Sequence, residues 1–348
     1  MRILHAPLNV ANDGFALVQG LRSLGHQADI ATIDQNKYVE NGTIDLSFSR
    51  KTSAQRQLAK IHFVKEEMPK YDVVHFHAGR SILDYGEGKF SLLDLKQSSK
   101  RGQVVAATFH GCEVRDLQEG GCPWPCANPV CRQGEKRARL EAFLKYADLL
   151  YVTTPDLLPA VPGAQLLPQT VLHIEEQEVF TPQAHLPIKI VHAPSARSAK
   201  GTDDIEAVIK ELQRSGLAID FRVVNNVSHQ QALEAISEAD IVIDHIQIGW
   251  YGVVSVEAAS MGKPVIVRID DSLVKVSGLP KPPFVTATKE NLAEKIRLLY
   301  NEREALPALG QANRKFVLGR HGAQANAQRV ARDYEKILEA KLRNKDKN

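Results

Sequence analysis

An α/β protein of two doubly wound domains is what this sequence predicts, on three observations. Short runs rich in β-branched and aromatic residues alternate along the chain with stretches whose apolar residues recur at helical spacing. At 348 residues the chain exceeds the size at which one hydrophobic core keeps growing. Near the middle, in "LPAVPGAQLLPQTV", prolines crowd together and the periodicity breaks, as in an exposed connection.

The elements follow in order. "MRILHAPL" is a short apolar run, and "GFALVQGLRSLGHQADIATI" follows it with a helical pattern and a second run, making a β-α-β unit. The alternation recurs through "YDVVHFHA", "QVVAATFHG" and "ADLLYVTT", which read as parallel strands of one sheet. Past the proline-rich connection a second series begins. Strand "IKIVHAPS", helix "GTDDIEAVIKELQRSG", strand "DFRVVNNV", helix "HQQALEAISEA", strand "DIVIDHI", helix "SVEAASMG" and strand "PVIVRI" repeat the pattern. The last stretch, "AQANAQRVARDYEKILEAKLRNK", has no strand after it and is expected to pack back across both domains. The expected division is residues 1–165, residues 166–325, and a terminal helix with a basic tail over 326–348. Two such domains facing each other leave a ligand cleft at the carboxyl ends of their strands.

Composition narrows the function classes. A hydrophobic fraction of 43% and a charged fraction of 24% are ordinary for a globular protein, and no run approaches the roughly 20 apolar residues of a membrane span. The first residues, "MRILHAPLNV", carry no long apolar signal core, so a cytoplasmic location is expected. A net charge of +3 is too small for a nucleic-acid footprint, while the tail "AKLRNKDKN" allows at most peripheral contact with anionic lipid on the inner face of a membrane.

Neither GxxxxGK[ST] nor GxGxxG occurs, but three loops suit phosphate. In "PLNVANDGFALVQGL", Gly14 opens a helix after the first strand, where bare backbone N–H groups face outward. It reads equally as a plain turn glycine. In "HAPSARSAKGTDD", Arg197 and Lys200 stand three residues apart before Gly201-Thr202 begins a helix, a pair suited to a diphosphate or simply to a solvated basic loop. In "GWYGVVSVEAASMGKPV" a helix begins near Val253, so the amides of Gly252, Val253 and Val254 are available to a distal phosphate. Glu257 falls about one turn in, where a carboxylate can accept from the paired hydroxyls of a ribose or merely complement the helix dipole.

Together these loops resemble the GT-B glycosyltransferases, specifically the retaining family 4 of nucleotide-sugar-dependent enzymes. The resemblance covers nearly the whole chain, and "HAPSARSAKGT" and "ADIVIDHIQIGWYGVVSVEAASMGKPV" carry it most specifically. It implies that Arg197 and Lys200 bind the donor diphosphate, that Glu257 binds the donor ribose, and that Gly14 and the amides of Gly252, Val253 and Val254 complete the phosphate site. His110, closing "VVAATFHG", falls where the family carries a histidine near the transferred sugar and acceptor. It implies transfer of a sugar from a nucleotide-diphosphate sugar to a hydroxyl acceptor (glycan, lipid-linked sugar or small molecule), with retained anomeric configuration and no metal required.

One departure stands out. The family often carries two glutamates with seven residues between them, the first engaging donor-sugar hydroxyls, and here that position is Gly249. Asp244 or His245, on the adjacent strand end, can supply polar contacts instead, and Asp244 reads equally as a helix-capping group. A catalytically silent nucleotide-sugar-binding module therefore stays open, as does an epimerase or phosphorylase on a related scaffold. All four cysteines, Cys112, Cys122, Cys126 and Cys131, lie in one segment, "GCEVRDLQEGGCPWPCANPVCRQGEKR". Their spacing leaves a structural zinc site, packed thiols and redox chemistry open.

Overall fold

The computed structural model describes residues 1–33, 43–47, 51–84, 92–115 and 133–345. These form two compact units, one of the described residues up to Leu172 together with those from Ala323 onward, the other His173–Gly322. The sequence reading placed the first boundary at 165/166 and the terminal segment at 326.

In the first unit the strands are β1 (Arg2–Ala6), β2 (Gln27–Thr32), β3 (Thr43–Asp45), β4 (Val73–His77), β5 (Val104–Phe109), β6 (Leu149–Val152) and β7 (Gln165–Leu166). Helices α1 (Asp13–Ser23), α2 (Ser53–His62), α3 (Leu93–Arg101) and α4 (Gln133–Tyr146) lie between them. Every described pairing is parallel, in the order β3-β2-β1-β4-β5-β6-β7. The period of two along a strand decides which core each residue joins. Leu4, Ala6, Val74, Phe76, Val105 and Ala107 enter one apolar cluster, with Leu95 of α3 and Phe143 of α4. Their neighbours Ile3, Val73, Val104 and Ala106 enter the other, with Phe15, Leu17, Val18 and Leu21 of α1. Burial of each of those α1 side chains stabilises the unit by roughly 1.5–3 kcal/mol.

The second unit has β8 (Ile188–His192), the single turn α5 (Arg197–Lys200), α6 (Thr202–Arg214), β9 (Ile219–Val223), α7 (His229–Ser237), β10 (Ile241–Ile243), α8 (Val253–Ser260) and β11 (Val265–Val267). It ends with α9 (Asp271–Ser277), β12 (Val285–Thr286), α10 (Leu292–Asn301) and α11 (Leu306–His321). This sheet is also parallel in its described pairings, in the order β12-β11-β10-β8-β9. Serine 228 caps α7 through a reciprocal pair with Gln231, a local stop-and-start signal of the kind that fixes a helix boundary. The last helix, α12 (Ala323–Lys345), belongs to the first unit, where Ala327, Val330, Ala331 and Tyr334 join the α1 core. Among the described residues, no helix is long and apolar enough to cross a membrane.

Candidate functional site

In an open parallel sheet, ligands bind beyond the carboxyl ends of the strands where the strand order reverses. That point lies between β8 and β10 in the second unit and between β1 and β4 in the first. Each holds a concentration of polar side chains that the sheet would otherwise exclude.

In the second unit, α5 carries Arg197 and Lys200, and Gly201 ends it at φ 74°, a left-handed conformation that costs glycine little. His192, at the end of β8, pins this junction. Its Nδ1 meets the Ile243 carbonyl at 2.8 Å and its Nε2 the Thr202 hydroxyl at 2.8 Å, and burial lowers its pKa. Lys200 Nζ donates to Asp244 Oδ1 at 2.7 Å, while Asp244 Oδ2 accepts from the Gly252 amide at 2.9 Å and the Ser255 hydroxyl at 2.7 Å. Burial acts to raise the Asp244 pKa, but Lys200, then His245, hold it far below the usual carboxylate range. His245 is itself pushed down to about 4 by burial.

These contacts bear on two expectations. Both oxygens of Asp244 are committed to Lys200 and the start of α8, which is the capping alternative and not an open sugar contact. The Gly252 amide, expected to face phosphate, is given to Asp244 because the carboxylate sits under it. The amides of Val253 and Val254 belong to the first turn of α8, where N–H groups lack intrahelical acceptors and the dipole is positive. Lys200 Nζ is beside this turn, 3.2 Å from where a Cβ on Gly252 would stand. Trp250 and Tyr251 anchor the loop from below: both are buried, and the Tyr251 hydroxyl meets His321 Nε2 at 3.0 Å.

Arg197 is more open, with Nη2 3.0 Å from both Asp203 and Glu206. Glu257, in the second turn of α8, meets His229 Nε2 at 2.6 Å. Its carboxylate raises the His229 pKa. The sequence reading passed over His229 because only the fold brings the first residue of α7 onto Glu257.

The first unit's switch point is lined with imidazoles. His5 pairs in register with His75, and His77 follows two residues later on the same face. His5 Nδ1 lies 2.9 Å from His77 Nε2, and His77 Nδ1 lies 3.3 Å from His110 Nε2. The rings of His75 and His77 stack at 4.8 Å, and His75 is held by the Tyr334 hydroxyl at 2.5 Å and the Thr108 hydroxyl at 2.7 Å. Burial lowers the pKa of His5 to about 3 and those of His75 and His77 well below normal, so these three rings are neutral near pH 7. Each neutral ring donates through one nitrogen and accepts through the other, so one tautomer dictates the next.

Asp13 stands, buried, at the His110 end of the row, its Oδ2 4.0 Å from His110 Nε2 and its Oδ1 accepting from the Thr170 amide at 2.5 Å. Burial raises its pKa, against the lowering effect of His110. His110 Nδ1 is buried and, among the described residues, has no hydrogen-bond partner. Gly14 is buried beside the row, where a Cβ would stand 3.0 Å from Ile30 Cδ1 and 3.3 Å from His77 Nε2. Close packing of α1 on the histidines is thus a local reason for this glycine. Asp13, His77 and His110 each offer a ligand atom within 4.8 Å of the others, a two-imidazole, one-carboxylate set suited to a divalent transition ion, and His5, His75 and His77 form a second trio. Of the cysteines, Cys112 is exposed, with its carbonyl accepting from Lys136 Nζ at 2.6 Å. Cys122, Cys126 and Cys131, and with them the zinc expectation, lie outside the described residues.

No protein-family model matches the chain, and no curated protein matches it by sequence. Solved structures match along its length. A sucrose-phosphate synthase from Thermosynechococcus elongatus superposes with a TM-score of 0.59 at 16% identity, over 97% of this chain and 99% of the other. The Anabaena protein HepE, solved with UDP and glucose, gives 0.64 at 12% identity over 96% and 99%. An alpha-glucosyltransferase in complex with UDP and a 13-mer DNA gives 0.61 at 8% identity over 96% and 99%. What the likeness shows is the architecture: two parallel, doubly wound units with the GT-B fold of these glycosyltransferases.

Proposed function

We propose that the protein is a nucleotide-sugar-dependent glycosyltransferase of the retaining family 4 type, moving a hexosyl group onto a hydroxyl acceptor. One observation carries the reading: at the second unit's switch point a lysine, the first turn of α8 and the Glu257 carboxylate are gathered within one constellation. HepE was solved with UDP and UDP-glucose, which supports a nucleotide sugar as donor here.

The roles follow from the chemistry. Breaking a glycosyl-phosphate bond leaves negative charge on the departing diphosphate, which Lys200 and the Val253 and Val254 amides stabilise electrostatically. Asp244 positions Lys200 and ties down the start of α8. Arg197 adds a second cation, because its exposed pairs with Asp203 and Glu206 are screened by solvent and yield to a diphosphate. Glu257 accepts from the ribose hydroxyls in exchange for His229. In the first unit, His110 handles the acceptor hydroxyl, its orientation set by His77 and Asp13. The leaving phosphate takes the acceptor proton as the new bond forms on the face it departs from. The charge of the diphosphate is met by protein groups, so the step needs no metal. The acceptor belongs to the chemical class of hydroxyl compounds: a glycan, a lipid-linked sugar or a small molecule.

Calorimetric titration of UDP, GDP and ADP and their glucose conjugates, without added metal, tests the reading. Selective binding of one nucleotide is expected, weakened about tenfold or more in Glu257→Ala, which removes a charged hydrogen-bond partner. No binding to the wild type sinks it. A second reading has one observation behind it, the superposition at TM-score 0.51 of a putative UDP-N-acetylglucosamine 2-epimerase from Listeria monocytogenes. Epimerised nucleotide sugar formed without acceptor would favour that reading.

A further inference from the structure

Gly249 stands where the resemblance expects an acidic side chain, and the structure shows what fills that space. A Cβ on Gly249 would lie 2.2 Å from Oδ2 and 2.7 Å from Cγ of Asp270, closer than any real Cβ approaches. Asp270 follows β11 and immediately precedes α9, and its backbone amide donates to the Gly249 carbonyl at 2.9 Å. The loops after β10 and β11 therefore run side by side, and the carboxylate of one occupies the path a side chain on the other would take. A side chain at position 249 would have to displace the Asp270 carboxylate.

The carboxylate is held in place. Arg268 donates to Oδ1 through Nε at 2.8 Å and to Oδ2 through Nη2 at 3.2 Å, a two-point pairing that fixes the carboxylate plane. Arg268 Nη1 is in turn anchored on the Gln247 carbonyl at 3.2 Å. The Asp270 side chain nevertheless keeps 32% of its surface exposed, so the acid is oriented but open. Each carboxylate oxygen accepts about two hydrogen bonds, and the arginine uses one on each, leaving capacity on both.

We infer that Asp270, oriented by Arg268, accepts hydrogen bonds from the hydroxyls of the donor sugar, in place of a glutamate at position 249. The inference rests on the donor-site reading above. A diphosphate held at the first turn of α8 has its distal phosphate beside Gly252, and only Trp250 and Tyr251 separate Gly252 from Gly249 along the chain. The sugar on that phosphate emerges toward Gly249 and the Asp270 carboxylate beside it. Neighbouring sugar hydroxyls are paired donors, which is what an oriented carboxylate accepts. Asp270 is then the residue that distinguishes donors by their hydroxyls, while Lys200 and Glu257 recognise the nucleotide common to all of them.

The test compares two affinities. The nucleoside diphosphate that binds in the calorimetric screen, and its glucose conjugate, are titrated into the wild type, Asp270→Asn, and the double variant Gly249→Glu/Asp270→Gly. Asp270→Asn is expected to weaken the glucose conjugate about tenfold or more, with the free diphosphate changed less than about twofold. The double variant, which returns a carboxylate to residue 249 and clears the space for it, is expected to regain part of the conjugate's affinity. Diphosphate affinity also reports whether each variant is folded. Equal losses for conjugate and diphosphate, or no loss for either, overturn the assignment. No nucleotide binding to the wild type overturns the donor-site reading, and the Asp270 role with it.

Discussion

The two units place the same topological device in opposite electrostatic settings. At the β8–β10 switch point the groups are formally charged: Lys200 against Asp244, and Glu257 against a histidine whose pKa it raises. At the β1–β4 switch point His5, His75 and His77 are imidazoles kept neutral by burial, with His110 and Asp13 beyond them. Fixed cations and a helix start suit an anion that arrives charged and leaves charged. Neutral imidazoles suit a hydroxyl, which has a proton to share and no charge to offer. The contrast teaches that the fold supplies the location and the side chains supply the ligand class.

The largest test of the comparison is Lys200→Ala. It leaves Asp244 buried without its cation, which costs roughly 3–5 kcal/mol, so the chemical-unfolding midpoint of the second unit is expected to fall and nucleotide binding to disappear. Adding Asp244→Asn removes the stranded charge and is expected to recover stability without recovering nucleotide affinity. Recovery of both would mean that Lys200 has only a structural part.

His110→Ala probes the imidazole site. Transfer to the acceptor is expected to slow about 100-fold or more, as when a group that orients a reactant is lost, while the dissociation constant of the free nucleotide stays unchanged. A parallel loss of nucleotide affinity would erase the division of labour between the units.

Acid titration sharpens the contrast. His5, His75 and His77 have folded pKa values below the unfolded value of about 6.5, so between those values the unfolded chain binds more protons. Stability is then complete above about pH 6.5 and is lost as pH falls toward the folded values, by about 1.4 kcal/mol per pH unit for each group that titrates. Unfolding free energies measured at pH 7, 6 and 5 check this, and a flat profile would contradict the burial of the row.

The smallest effect is expected at His229, whose folded pKa is raised. Its pairing with Glu257 stabilises the fold below the unfolded value of 6.5 and is lost as pH rises through the folded value. His229 is about half exposed, so the pair is worth at most about 1 kcal/mol. Rising pH is expected to free Glu257 and tighten nucleotide binding about two- to fivefold, a dependence that His229→Ala should remove.

How much of this was legible varied with distance along the chain. The strands at Val73–His77 and Val104–Phe109 were readable because strands buried on both faces are rich in apolar residues, and Ile188–His192 because its apolar run is broken within only by the exposed Lys189. Strands β3, β7 and β12, of two or three residues, are too short to show a period. The loop bearing Arg197 and Lys200 read as a turn and proved to be one turn of helix, a difference of local hydrogen bonding that residue types there do not announce. The alternation in "VVHFH" does place His75 and His77 on one face, and was the available signal for the imidazole row. His5, His229 and Asp270 had none, since each meets its partner only through the fold.

By itself the sequence determined the alternating α/β plan and displayed, after β8 and β10, Arg197, Lys200 and Glu257 as candidate site residues. Those are properties of local periodicity and of residue type, which a linear chain displays directly. The tertiary structure alone decided that Asp244 is committed to Lys200 and the Gly252 amide, that Asp270 occupies the space beside Gly249, and that His5, His75, His77 and His110, on β1 and β4 and just after β5, form one row. Such pairings depend on sheet register and on the crossing of loops at the strand ends, where distances of a few ångströms are unrelated to separation along the chain.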